Sequence, residues 1–259
     1  MLLLTNSFIV LAKQLFYENL YAAVIFVVCA IIAFWIAGNA FKYKSKSTET
    51  IIVTGLAEKD FGSDLIVWNG SYSRKALDLK NTYASVKQDE AAIRQYLKGK
   101  GITDNEMVFS SVVINKEFDY RTDPNGRSLG SEFNGYNLTQ TVKVQSNKLD
   151  KIDKIAREVT ELIEGGIEFN SQPPLFYNTK LTNVKMDLLA KASADGTLRA
   201  ETIAKNSGSS LGKLRKACMG VFQITGKNSN EDYSYGGAFN TGSRNKTGSI
   251  TIKMEFAAE

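Results

Sequence analysis

The chain has 259 residues, 43% hydrophobic and 23% charged, which is ordinary for a globular protein. Its net charge is +5, and lysines are interspersed with acidic residues rather than forming a basic stripe with interleaved aromatics, so we expect no nucleic-acid binding. The sequence has no histidine, which removes the commonest general base and the commonest metal ligand. The two cysteines, Cys29 and Cys218, occur in no zinc-binding or redox spacing, and we predict no disulfide between them.

A run without any charged residue extends from Asn19 to Phe41. A bilayer core about 30 Å thick needs roughly 20 apolar residues in a helix, and this run supplies them. It is too long for a signal peptide and is followed by no clear small-x-small cleavage site, so we predict an uncleaved transmembrane anchor over residues 19–41. Residues 1–18 form a leader whose apolar residues are spaced as in a helix lying on the bilayer surface.

Residues 42–49 are a basic linker, and residues 50–259 are predicted to form one domain in which strand and helix patterns alternate. The runs that predict strands are residues 50–56, 65–79, 107–121, 133–145, 168–181, 213–225 and 250–256. The runs that predict helices are residues 81–99, 148–163 and 185–204. Turn residues at 122–131 join two strands as a long hairpin, and Pro173 and Pro174 indicate an edge or irregular strand. Hairpins rather than crossovers predict an α+β fold, with helices packed on antiparallel sheet.

Two patterns resemble chemical motifs, and each has a simpler explanation. The segment from Gly208 to Lys213 is similar to a phosphate-binding loop, but its glycine spacing is one residue short and Leu214 replaces the magnesium-binding hydroxyl residue. We interpret it as a helix end followed by a turn. The carboxylates Glu58, Asp60 and Asp64 cluster near a turn, where solvated turn residues are a simpler interpretation than an acid–base pair. We therefore expect no catalytic, cofactor-binding or metal-binding residues.

A polar, Gly-rich stretch from residue 228 to residue 246 contains three aromatic residues. Tyr233, Tyr235 and Phe239 would combine aromatic surface with a mobile backbone, which suits partner binding. The alternative is a disordered loop tip without a binding role. We take these three residues as a candidate recognition loop.

The segment from residue 50 to residue 256 resembles the SIMPL-domain family, the YggE-like proteins of the bacterial envelope. The similar segments are Ile52–Lys59, Asp64–Trp68, Leu97–Asp104, Gly135–Tyr136 with Val142–Val144, and a late block with Leu189, Ala192, Asp195, Arg199, Ala200, Ile203, Ala204, Gly208, Leu211 and Gly212. One departure is Gly196, where the family pattern usually has alanine, and glycine should weaken a helix locally.

The resemblance implies an extracytoplasmic protein, because family members are secreted or membrane-anchored, some form ring-like or channel-like homo-oligomers, and some are linked to stress tolerance. It implies no catalytic residues. We therefore expect a single-pass inner-membrane protein with a periplasmic domain, acting as a non-catalytic oligomeric scaffold or binding module for an unknown protein partner.

Two alternatives stay open. One is a small-ligand receptor or an enzyme with an acid, tyrosine and lysine site that the sequence does not reveal. The other is a signalling adaptor facing the cytoplasm, because Lys42, Lys44 and Lys46 follow the apolar run and the positive-inside rule would place the body in the cytoplasm.

Overall fold

The computed structural model describes residues 26–40, 49–124 and 126–259. The leader at 1–18, most of the linker, and residues 19–25 and 41 of the expected anchor lie outside the described residues. Helix α1 spans residues 26–40 and exposes its apolar side chains, Phe34 and Trp35 among them. Of the helices in the described ranges, none combines the length and the apolar character needed to cross a bilayer.

The described part of the chain is α+β with antiparallel strand pairs, as the sequence predicts. The strands are β1 Thr50–Gly62, β2 Leu65–Ala76, β3 Met107–Phe109, β4 Val113–Thr122, β5 Ser128–Ser146, β6 Phe169–Ser171, β7 Leu175–Tyr177, β8 Leu211–Met219, β9 Gln223–Gly226 and β10 Asn245–Ala258. The helices after α1 are α2 Leu79–Gly99, α3 Leu149–Glu158 and α4 Leu181–Asn206, and short 3-10 turns span Asp104–Glu106 and Val159–Ile163.

Three predicted strands are each divided in two. Phe109 pairs with Val142, and Val113 pairs with Thr139. Four residue steps from Phe109 to Val113 therefore oppose three steps on β5. The extra residue interrupts the ladder and separates β3 from β4. The 168–181 segment is interrupted between β6 and β7 at Pro173-Pro174, since proline has no N–H to donate to a ladder. The 213–225 segment is interrupted between β8 and β9 at residues 220–222.

The chain divides into two compact units. Of the described residues, the smaller unit comprises those within Met1–Gly55, Ala194–Cys218 and Ile252–Glu259, and the larger one comprises those within Leu56–Ser193 and Met219–Thr251. One sheet has the strand order β1-β10-β8, with β9 also paired to β10. The other has the order β3-β5-β2-β6, with β4 paired to β5 and β7 paired to β2.

The core of the larger unit lies between the second sheet and helices α2 and α3. Helix α2 begins at the N-cap Asp78, whose carboxylate accepts the Asn81 N–H. Its apolar stripe is fully buried, as are Trp68 and Tyr72 of β2. Within this core Tyr72 Oη donates to Gln140 Oε1 at 2.7 Å, which satisfies a buried polar group. This packing fixes the long β2–β5 ladder.

The smaller unit contains a close approach between helix and sheet at Gly196. A Cβ at this position would stand 2.7 Å from Met254 Sδ and 3.4 Å from Gly55 Cα. Gly196 therefore allows α4 to lie close to β1 and β10, and α4 continues through this position as a helix.

Candidate functional site

The loop between β9 and β10 carries the candidate recognition residues, and polar side chains hold its base. Lys246 is 3% exposed, and its Nζ donates to the main-chain oxygen of Asn240 at 2.5 Å. Burial lowers the pKa of Lys246. Glu231 accepts the Gly226 N–H at 3.0 Å and a second hydrogen bond from Asn240 Nδ2. The bond from the Gly226 N–H is the main reason that the pKa of Glu231 is lowered. The loop is thus tied to the first residues of β10.

The Gln223 side chain of β9 holds the tip of the same loop. Its Oε1 accepts the Ala238 N–H at 2.7 Å and the Ser234 N–H at 3.2 Å, and its Nε2 donates to Ser234 O at 2.9 Å. Gly237 has φ +95°, and a Cβ there would meet Phe222 O at 2.8 Å, so the turn requires glycine. The loop therefore has a defined conformation, unlike a disordered tip.

Tyr233 and Tyr235 line a groove of about 390 Å³. Tyr233 Oη donates to Glu58 Oε1 at 3.3 Å and accepts from Ser249 Oγ at 3.1 Å, so this ring is held against β1 and β10. Tyr235 is fully exposed. The remaining lining residues are Leu56, Val221, Gln223, Ser234, Ser249, Ile250 and Thr251.

Phe239 is not among the residues that line this groove. Its main chain forms a bridge with Ile224, and its side chain is 57% exposed. The structure therefore brings together two of the three predicted recognition residues. Sequence reasoning missed the apolar groove residues Leu56 and Val221; the signal for Leu56 is the alternation of β1, in which Val53 and Ala57 are buried and Leu56 lies on the opposite face.

Glu58, Asp60 and Asp64 do not form an acid–base pair, because each has its own partner. Asp60 bonds Lys227 and Thr247, and the Lys227 ammonium chiefly lowers its pKa. Partial burial alone would raise the pKa of Asp64. The bonds from the Thr179 N–H and hydroxyl, each 2.7 Å long, have the larger effect, and the net result is a lowered pKa. These contacts are typical of structural carboxylates.

A second concavity is an open polar cleft of about 820 Å³ at the start of α3. It is lined by Ser63, Asp64, Asn147, Lys148, Leu149, Asp150, Lys151, Thr179, Lys180 and Arg244. Helix α3 has no side-chain cap, and Ser63 Oγ is buried without a hydrogen-bond partner among the described residues. Arg244 pairs with Asp150, which lowers the pKa of that carboxyl, so part of the cationic lining is already neutralised.

The segment from Gly208 to Lys213 follows the end of α4, and its last three residues are the first three of β8; Gly208 has φ +74°. A phosphate-binding loop instead precedes a helix and directs main-chain N–H groups at the phosphate. The interpretation as a helix end followed by a turn is confirmed.

Comparison with protein families shows that the model of the family SIMPL, described as "Protein of unknown function (DUF541)", matches residues 51–255. No curated protein matches the chain. The matched segment runs from β1 into β10 and so includes both sheets, α2 to α4 and the Tyr233 loop. The chain belongs to the SIMPL (DUF541) family.

Proposed function

We propose that this protein is a membrane-anchored envelope protein whose folded body is a non-catalytic binding and self-assembly module. Residues 19–41 are the anchor, and the body lies on the extracytoplasmic side of the inner membrane. The observation that carries the binding role is the held conformation of the loop that presents Tyr233 and Tyr235 beside an apolar groove. The resemblance to envelope proteins supports the location and a role in stress tolerance.

The groove has the properties of a protein-recognition surface. Tyrosine provides a large apolar face and a polar tip, and it loses little conformational entropy when it is bound. Because Gln223 and Lys246 already order the loop, a partner would not need to order it on binding. Such preorganisation favours affinity without any new contact.

One titratable pair supports a non-catalytic role. At the polar cleft, Arg244 lowers the pKa of Asp150 while the same contact raises the pKa of Arg244, so both groups hold their charge more firmly. A catalytic acid or base needs the opposite, a pKa moved toward the working pH.

Self-assembly is tested by the native mass of the full chain in mild detergent, measured by light scattering beside that of residues 46–259 in buffer. We expect a closed multimer for the full chain and weaker assembly without the anchor, since anchoring raises the effective concentration of the body. A monomer in both samples would contradict self-assembly.

Partner binding is tested by placing a photo-crosslinking amino acid at Tyr235, with the same substitution at Phe239 as the control. Both side chains are exposed, but only position 235 lines the groove. We expect a discrete crosslinked product in cells from position 235 and not from position 239. Equal crosslinking from both positions would argue against a specific groove.

A small-ligand receptor is the second candidate, because the polar cleft has an uncapped helix start and an unpartnered Ser63 hydroxyl. Titration of the full chain with inorganic phosphate in a calorimeter tests it, with Lys180→Ala as the variant and Lys80→Ala as the control outside the cleft. Saturable heat that Lys180→Ala weakens would favour a receptor, and no heat would count against it.

A further inference from the structure

The sheet with strand order β1-β10-β8 ends in β1 on one side and β8 on the other, within the described ranges. The outer main-chain groups of an end strand can accept another strand. At the two ends of β1, Glu49 O accepts the Ala258 N–H and Ser63 N–H donates to Arg244 O. The main-chain N–H and C=O groups of the odd-numbered residues of β1 therefore point toward β10. The N–H and C=O groups of Ile52 and Thr54 therefore point outward.

A groove of about 660 Å³ lies along this outer side of β1. One wall is Ile52, Val53 and Thr54 of β1, and the other is Asp195, Leu198, Arg199, Thr202 and Ile203 of α4. Leu198 is 62% exposed, and Ile52 and Ile203 are also exposed. A strand edge facing a partly apolar helix wall is suited to an extended chain, which gains main-chain hydrogen bonds on one side and side-chain burial on the other.

Strand β8, at the other end of the sheet, has the features of a strand that could pair with another edge. Its nine residues contain no proline, and every residue from Lys213 to Met219 is exposed, so side chains on both faces are accessible. Leu214 and Met219 are exposed apolar residues. Ser210 and Glu259 exchange two main-chain bonds, and Gly220 N–H donates to Thr251 O, so β8 runs beside β10. Ten residue steps from Ser210 to Gly220 oppose eight from Glu259 to Thr251, so this ladder contains two extra residues on the β8 side.

The charges of β8 oppose its pairing with another β8. Lys213, Arg215 and Lys216 are the charged residues of this strand, and two antiparallel copies would place like charges close together. The β1–α4 groove contains a neutral pair instead, because Arg199 Nε donates to Asp195 at 2.8 Å. The groove is therefore the better acceptor for β8.

We propose that β8 of one copy adds as a strand to the outer edge of β1 in the next copy, within the groove against α4. This inference rests on the proposed self-assembly and names its interface. Two different surfaces meet, so the contact is heterologous, and successive copies close into a ring if their rotation closes.

The test is the native mass of the full chain and its variants in mild detergent. Ala217→Pro removes one main-chain N–H from the exposed strand β8, and Ala217→Ser, which keeps that N–H, is its control. Leu198→Asp places a charge in the groove wall, and Met186→Asp is its control because Met186 is equally exposed on α4 but outside the groove. We expect the multimer to be lost with Ala217→Pro and Leu198→Asp and retained with both controls.

Cross-linking identifies the partners directly. In a Cys29→Ser background, a bismaleimide should join Cys218 of β8 to Leu198→Cys of the next copy and give a ladder of products beyond the dimer. Met186→Cys should give no such ladder. A multimer that survives Ala217→Pro and Leu198→Asp, or one that yields only Cys218 dimers, overturns this interface but leaves self-assembly standing. A monomeric wild-type chain overturns both.

Discussion

At the scale of single residues, Gly70 of β2 shows how a missing side chain can be part of a core. It lies opposite Ser171, and a Cβ there would stand 2.1 Å from Phe169 Cζ. Phe169 is itself buried and stacks with Tyr72 at a ring-centroid distance of 6.4 Å. The ring occupies the space of the absent side chain and has little room to move.

We expect Gly70→Ala to lower the free energy of unfolding by about 1–3 kcal/mol, because it overpacks this contact. Gly62→Ala is the matched control, since Gly62 is also a strand glycine but has open space around its Cβ position. Urea titration of the full chain in mild detergent measures both. Equal small effects would contradict the overpacking argument.

Glu106 gives a prediction for pH dependence. It accepts bonds from Ser146 Oγ at 2.6 Å and from the Thr103 N–H at 3.0 Å, and these lower its pKa to about 2. The unfolded carboxyl titrates at about 4.3, so the stabilisation is complete above that pH and is lost as the pH falls toward 2.

Glu106→Gln should therefore lower the free energy of unfolding at pH 7 by about 1–3 kcal/mol. The difference from wild type should shrink progressively below pH 4.3. Glu164→Gln, at an exposed position, serves as the control. A difference that stayed constant down to pH 2 would show that the Glu106 charge is not the cause.

The Gly70 contact also shows what the sequence conceals at this scale. The alternating pattern around Gly70 predicts a strand, and β2 confirms it. The partner of Gly70, however, lies about a hundred residues later, in a segment whose two prolines indicate only irregular structure. A tight glycine–ring contact depends on tertiary pairing, which local periodicity does not encode.

At the scale of elements, the β9–β10 loop is ordered by side chains that belong to its flanking strands. Replacing Gln223 by alanine removes its bonds to Ser234 and Ala238. We expect faster amide hydrogen exchange at residues 234–238 and little change elsewhere, because opening of this loop no longer breaks those bonds. Mass spectrometry of exchanged peptides measures it, with Gln95→Ala on α2 as the control. Unchanged exchange would mean that Lys246 and Glu231 alone hold the loop.

The three divided strands mark the limit of element prediction. The sequence predicts single strands at 107–121 and 213–225, and both are divided in the structure. The extra residue between β3 and β4 is visible only against the register of β5, which pairs with both. Proline gave the one local signal, at Pro173 and Pro174, and there the predicted irregularity is confirmed.

At the scale of the whole molecule, the side of the membrane on which the body lies is a direct prediction. Cys218 is exposed, and the other cysteine, Cys29, lies in the apolar run. In a Cys29→Ser background, a membrane-impermeant maleimide added to spheroplasts should label Cys218 if the body is extracytoplasmic. Labelling only after lysis would favour the cytoplasmic adaptor. A Cys29→Ser/Cys218→Ser chain controls for background.

Fold class and family could be predicted because both depend on patterns distributed over many residues. The alternation of strands and helices predicts the α+β class, and the segments around Ile52 and Gly135 carry the family resemblance. The candidate site could be predicted only in part: Tyr233 and Tyr235 share one loop, whereas Leu56 and Val221 meet them through sheet pairing. Surfaces assembled from distant segments need the register of the sheet.

The contact of Gly196 with Met254 links two positions that are 58 residues apart in the chain. A family member with alanine at the position of Gly196 needs room that Met254 occupies here, while the Gly55 main chain on the other side cannot yield. The two sites should therefore covary, so that alanine at the first accompanies a side chain shorter than methionine at the second. Alanine at position 196 alone should destabilise the protein, because its Cβ would overlap the Met254 side chain. A shorter side chain at position 254 should restore the fit.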